Sequence, residues 1–273
     1  MKAGLSLVAG ESVVPGVGRR PGARRWLPPA LVLIAAVGLW QLVTVVFGTS
    51  PTILPGPALV VVSTWADRAD LAPALATTTV EAVAGLALAV AVAVPLAISI
   101  DWSRTARAGV YPLVVASQTV PVIALAPLVV IWFGFGEGPK IGLVALFSFF
   151  PIVVGAVQGL ASADRDAVDL LRTMRASRWQ LLWRVRWPSA LPQCFTGLKI
   201  SVTYAYTSAI VAEYVGATQG LGVYMNAASQ AAPRRTDLVF GATGATALAT
   251  VALFLLVGLA ERLAMPWRPP SRS

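Results

Sequence analysis

The sequence predicts an all-α protein, a polytopic membrane helix bundle of about six transmembrane helices, and three observations point there. Only 12% of the 273 residues are charged while 57% are hydrophobic, about half the charged share of an ordinary soluble domain. Charge-free runs at 26–66, 82–100, 108–136, 141–163 and 238–260 can each hold the roughly 20 apolar residues that a helix needs to cross the hydrocarbon core. Lys and Arg, finally, gather in alternate connections between these runs.

Taken in order, residues 1–26 are rich in Gly, Pro and Arg and are expected to be a disordered basic tail. The apolar run from Leu27 to Phe47 is longer than the core of a secretory signal and no clear small-x-small site follows it, so 27–48 is read as a retained first transmembrane helix. Spans two, three and four fall on 82–100, 108–136 and 141–163. The fifth fits Leu191 to Val215, interrupted by Lys199 and Glu213, and the sixth lies within 238–260. Residues 268–273 form a short tail. With both tails in the cytoplasm, Lys2, Arg19, Arg20, Arg24, Arg25, Arg104, Arg107, the six arginines of 165–186, Arg262, Arg268 and Arg272 are inside, whereas Arg68, Lys140, Arg234 and Arg235 are outside. That bias obeys the positive-inside rule, so the net charge of +9 reports topology. No loop is long enough for a basic, aromatic-studded nucleic-acid face, and no nucleic-acid partner is expected.

The chain has no His and one Cys, Cys194, which excludes a His-based triad, a His-containing zinc site and a disulfide framework. No catalytic residue and no metal ligand is expected.

The longest charged segment is 163–188, ADRDAVDLLRTMRASRWQLLWRVRWP from Ala163. Asp164, Asp166 and Asp169 at its start suit the positive end of a helix dipole. Ser177 and Gln180 have capping-box spacing, which starts a second helix. Val168, Leu171 and Met174, then Trp179, Leu182 and Val185, recur at three- and four-residue steps, giving each short helix an apolar side. In the fifth span Lys199, Thr203, Tyr206 and Glu213 fall within an arc of about 80° at 100° per residue. A charge facing lipid costs about 2.5–3.5 kcal/mol, so this stripe faces protein or water, either as the lining of a translocation path or as hydrogen-bonding between helices. Thr78 and Glu81 have the spacing of an N-terminal cap for the second span.

The 163–188 loop resembles the cytoplasmic coupling motif of the permeases of ABC importers, the binding-protein-dependent transport family. That motif reads E-A-A, three residues, Gly, nine residues, I-x-L-P. Asp169, Leu170 and Leu171 stand in the first slots, Arg175 in the glycine slot, and Val185, Arg186, Trp187 and Pro188 in the last. The spacing is intact, but both alanines are leucines and the glycine is an arginine. A β-carbon makes a positive φ costly by about 1–2 kcal/mol, so the turn either takes another geometry or the motif is degenerate. Further likeness lies in LPGP from Leu54, PVIALAPLVVIWFGFG from Pro121, SALPQCFTGLK from Ser189, AEYVGATQGLG from Ala212 and TDLVF from Thr236. All are similar to the branch that handles nitrate, sulfonates, taurine and thiamine-pyrimidine precursors.

The resemblance implies a type I importer permease with its core at 49–267, in a bacterial plasma membrane. It implies a subunit that is not an enzyme and binds no cofactor: ATP and Mg belong to a separate cytoplasmic ABC ATPase docked on the loop through Asp169, Leu170, Leu171, Arg175, Val185 and Pro188. In keeping with this, the chain contains no G-x-x-x-x-G-K-[ST] phosphate loop. An extracytoplasmic solute-binding protein and a second permease copy, as a homodimer, are the other implied partners. Glu81 in its T-x-x-E-A-V-A-G context and AEYVGATQGLG look somewhat nearer the thiamine-pyrimidine precursor and riboflavin branch. An ion-coupled secondary transporter is the alternative, and for it only Glu213 is a candidate coupling carboxylate.

Overall fold

The computed structural model describes residues 27–267, so both predicted tails, 1–26 and 268–273, lie outside the described residues. The chain divides into two compact units at Gly48. In the first, α1 (Leu27–Val46) is the expected 20-residue apolar helix. The second contains α2 (Pro57–Ala66), α3 (Arg68–Trp102), α4 (Arg104–Ser117), α5 (Val122–Phe133), α6 (Glu137–Ala161), α7 (Arg165–Thr173), α8 (Arg178–Leu181), α9 (Trp187–Gly216), α10 (Leu221–Gln230) and α11 (Thr236–Ala264). Among the described residues there is no strand. Helices α3, α6 and α11 are long and apolar enough to cross a membrane by length and composition, and α9, at 30 residues, carries Lys199 and Glu213 within it.

Three boundaries differ from the sequence reading. The expected third span is two helices, because Pro121 lacks an N–H and disfavours helical geometry at Val120, so α4 ends at Ser117 and α5 starts at Val122. Helix α3 begins at Arg68, which puts Thr78 and Glu81 ten and more residues inside it and removes them from any cap. The third difference concerns the loop's second short helix, which does not end. It runs from α8 through a π turn at Leu182–Arg186 directly into α9. Pro188 has no N–H to continue the ladder, and the Trp187 N–H reaches back five residues to the Leu182 carbonyl.

The core of this unit is α3, α6 and α9, packed on small residues. Ala89, Ala93 and Ala97 recur at four-residue steps along α3 and are buried, and Gly85 lies against Val144 of α6. Between α6 and α9 the backbones nearly touch: a β-carbon on Gly155 would lie 2.6 Å from the Gln193 carbonyl oxygen, and one on Gly159 2.7 Å from that of Ala190. In lipid no hydrophobic force drives helices together, so this close approach supplies the van der Waals contact that holds them. The Ser201 hydroxyl adds a hydrogen bond across the same seam, donating to Ser148 O at 2.6 Å. Helix α11 is different, leaving Leu248, Val251, Leu255, Leu259 and Leu263 exposed.

Candidate functional site

Two places on this scaffold gather the chemistry. The first is the 163–188 loop, whose ends are fixed by local hydrogen bonds. Asp164 caps α7, accepting from the Asp166 N–H at 3.0 Å. Ser177 and Gln180 form the expected capping box, the Gln180 N–H donating to Ser177 Oγ at 3.3 Å and the Ser177 N–H to Gln180 Oε1 at 2.7 Å.

Between them the turn settles what the sequence leaves open at Arg175. Its φ is +58°, the left-handed conformation that glycine favours. The Arg175 N–H donates to Arg172 O at 2.9 Å and the Ala176 N–H to Leu171 O at 2.9 Å. These are the two bonds of a Schellman closure, with Arg at the position usually held by Gly. The turn geometry survives the substitution, at a backbone cost of about 1 kcal/mol.

The six residues matched to the motif are spread over this turn. Asp169 is exposed and pairs with Arg172 at 3.1 Å; Leu170 is 62% exposed, Leu171 half-buried and Arg175 exposed, while Val185 and Pro188 are half-buried near the π turn. Val168, Leu181 and Leu182 are buried beneath, whereas Met174, Trp179 and Trp183 present their side chains outward. Arg186 forms an ion pair with the buried carboxylate of Asp101 at the end of α3, and Trp102 meets Trp179 edge to face at 4.9 Å. The sequence reading passed over Asp101. Its signal was an acidic residue placed where an apolar run ends.

The second place is a buried polar junction where α3, α6, α9 and α10 meet. Glu213 is 1% exposed. Its Oε1 accepts from the Thr78 hydroxyl at 2.6 Å and its Oε2 from the Gly222 N–H at 2.6 Å; Thr78 Oγ1 in turn accepts from the Leu221 N–H at 2.9 Å. The carboxylate therefore sits at the N-terminus of α10, where unpaired N–H groups and the helix dipole favour an anion. Glycine makes the approach feasible. Gly220 has φ +121° and a β-carbon there would strike the carboxylate, while one on Gly222 would lie 2.6 Å from Ile210 O. Next to it Glu81, 2% exposed, forms an ion pair with the buried Lys140 of α6, and Glu81 Oε2 has no hydrogen-bond partner among the described residues.

The four stripe residues of α9 have different surroundings, graded across their arc. At one edge Thr203 is exposed. Lys199 is half-buried, paired with Glu261 of α11 and 5.5 Å from the centre of the Phe254 ring. Toward the other edge, Tyr206 is buried with its hydroxyl donating to Thr79 Oγ1 at 3.3 Å, and Glu213 is locked as described. The partners Thr78, Glu81, Lys140 and Glu261 lie tens of residues away in sequence, which helical periodicity within one span does not register.

Comparison with known proteins gives a consistent answer. The family model described as binding-protein-dependent transport system inner membrane component matches residues 85–266. A formylaminopyrimidine transport permease protein of Halalkalibacterium halodurans is 36% identical over 253 residues, spanning 89% of this chain and 96% of that one. A riboflavin transport system permease protein of Chloroflexus aurantiacus is 37% identical over 243 residues, spanning 88% and 89%. Among solved structures, the crystal structure of an amino acid ABC transporter superposes with a TM-score of 0.61 at 16% identity, covering 74% of this chain and 97% of that one, a likeness of fold. The chain belongs to the family of binding-protein-dependent transport system inner membrane components, as a membrane permease subunit.

Proposed function

We propose that two copies of this permease form the translocation path of an ATP-driven ABC importer. A cytoplasmic ATPase, carrying ATP and Mg, docks on the 163–188 loop, and an extracytoplasmic solute-binding protein delivers cargo at the α10 side. Both tails are then cytoplasmic and the membrane is a bacterial plasma membrane. The cargo is a small organic or anionic nutrient of the thiamine-pyrimidine precursor, riboflavin, sulfonate, taurine or nitrate kind. The observation that carries this reading is the preserved turn at Arg175, which holds Leu170 and Met174 outward on one side and Trp179 on the other, an exposed apolar surface suited to a protein cleft. The path is assigned to the Thr203 and Lys199 side of α9, with Tyr206 and Glu213 holding the neighbouring helices at its border.

The test is purification of the chain expressed together with its operon neighbours, followed by uptake in proteoliposomes. An ATPase should come down with it, and Asp169→Lys should leave insertion intact while separating ATP hydrolysis from uptake. Normal uptake by that variant removes the loop from coupling. Uptake driven by an ion gradient with no ATPase bound would instead make the chain a secondary transporter.

A further inference from the structure

The turn between α7 and α8 carries two arginines in places that local energetics disfavours. Arg175 holds φ +58°, a conformation in which the β-carbon of any residue but glycine is crowded. Arg178 is the first residue of α8, directly after the N-cap Ser177. It stands at the positive end of a helix that runs on through the π turn into α9, and a cation at that end opposes the dipole.

Neither arginine is compensated within the chain. Both are exposed, and neither side chain has an ion-pair or hydrogen-bond partner among the described residues. Asp169 is already paired with Arg172 and Asp101 with Arg186, and Asp164 caps α7. A strained backbone and a charge at the wrong helix end, each without an internal contact to offset it, point to a contact outside the chain.

The surroundings say what kind of contact. Leu170, Met174 and Trp179 stand exposed about the same turn, which gives an apolar surface with two free guanidinium groups on it. A guanidinium is planar and always charged, and it pairs bidentately with a carboxylate. Glycine at 175, the residue of the motif that this loop resembles, would relieve the strain but could not make that pair.

We infer that Arg175 and Arg178 select the partner: the ATPase surface that receives this loop presents Asp or Glu side chains to them, beside an apolar floor for Leu170, Met174 and Trp179. The inference rests on the importer reading above and specifies the chemistry of its ATPase. An ATPase whose cleft is neutral or basic at those positions leaves the arginines unpaired or repelled, so the two charges discriminate against it.

The experiment measures the Kd of the purified ATPase for the full-length permease in nanodiscs of neutral and of anionic lipid, at low and at high salt. Arg175→Gly is expected to raise Kd roughly tenfold in both lipids while leaving the unfolding midpoint unchanged or higher, so that docking weakens without loss of stability. Arg175→Glu, which sets like charges against each other, should raise Kd further, and Arg178→Ala should raise it roughly threefold. Arg175→Lys keeps the charge without the fork and should fall between wild type and Arg175→Gly. Salt should weaken the wild-type complex more than the Arg175→Gly complex. Arg262→Gln, at the end of α11, removes a charge elsewhere and should leave Kd unchanged. A wild-type Kd in Arg175→Gly, Arg175→Glu and Arg178→Ala overturns the inference while the importer stands. Loss of affinity confined to anionic bilayers also overturns it, because the arginines then serve lipid headgroups. Failure of the wild-type permease to bind the ATPase at all overturns the importer reading itself.

Discussion

The α10 junction and the 163–188 loop solve opposite problems with the same elementary device, a polar group placed at a helix end. At the junction, Glu213 is supplied from another helix and is sealed from solvent, with Thr78 and Gly222 as its partners. In the loop, Asp164 and Ser177 cap their own helices in the open. A buried acceptor that is removed leaves its donors unpaired, at about 1–3 kcal/mol each. An exposed cap that is removed is replaced by water and costs roughly 1 kcal/mol. The difference teaches where each region can move: the junction holds as a unit, while the loop can trade its solvent contacts for those of a partner.

The largest effect that tests this contrast is at Gly220. Gly220→Ala adds a β-carbon against the Glu213 carboxylate at φ +121°, and the junction should open altogether, seen as loss of folded permease in detergent by size-exclusion chromatography. A well-folded Gly220→Ala protein with wild-type thermal stability would break the comparison. Glu213→Ala comes next, leaving the Gly222 N–H unpaired while the Thr78 hydroxyl keeps the Ala74 carbonyl, 3.1 Å away, as its acceptor. A destabilisation of about 1–3 kcal/mol is expected, read as a lowered unfolding midpoint.

Intermediate in size is thiol labelling on α9, in a background where Cys194 is replaced. A cysteine at the exposed Thr203 should react with a small reagent, and one at Val202, which is fully buried, should not. Equal labelling would mean that α9 is turned differently from the gradient that runs from Thr203 to Glu213. The smallest effect is Arg175→Gly. It relieves the strained φ of +58° but loosens the unfolded chain, so the net gain should be no more than about 1 kcal/mol. Destabilisation by this change would show that the Arg175 side chain holds the loop in a way that its backbone does not reveal.

What could be read from the sequence divides along the same line. The loop's start at Asp164 and its capping box at Ser177 were legible because the partners stand two and three residues apart. The turn at Arg175 was not, since the residue type argues against a geometry that two backbone hydrogen bonds hold in place. Hydropathy located the spans but ran through Pro121, because an apolar average does not count missing N–H groups. Thr78 was read as a cap for a local reason, and its true partner, Glu213, is 135 residues away. Nothing in the spacing of α3 indicates that pairing.

The absence of a break between α8 and α9 also bears on how force would travel. From Arg178 to Gly216 the backbone is helical through 39 residues, a path of about 58 Å at 1.5 Å per residue. Trp179 stands at one end and Glu213, clasping α10, near the other. The π turn at Leu182–Arg186, pinned to α3 by Asp101, is placed to serve as the fulcrum. A tilt of about 5° about it, imposed at the tryptophan, would displace the far end by about 4 Å over the roughly 45 Å of helix beyond the turn.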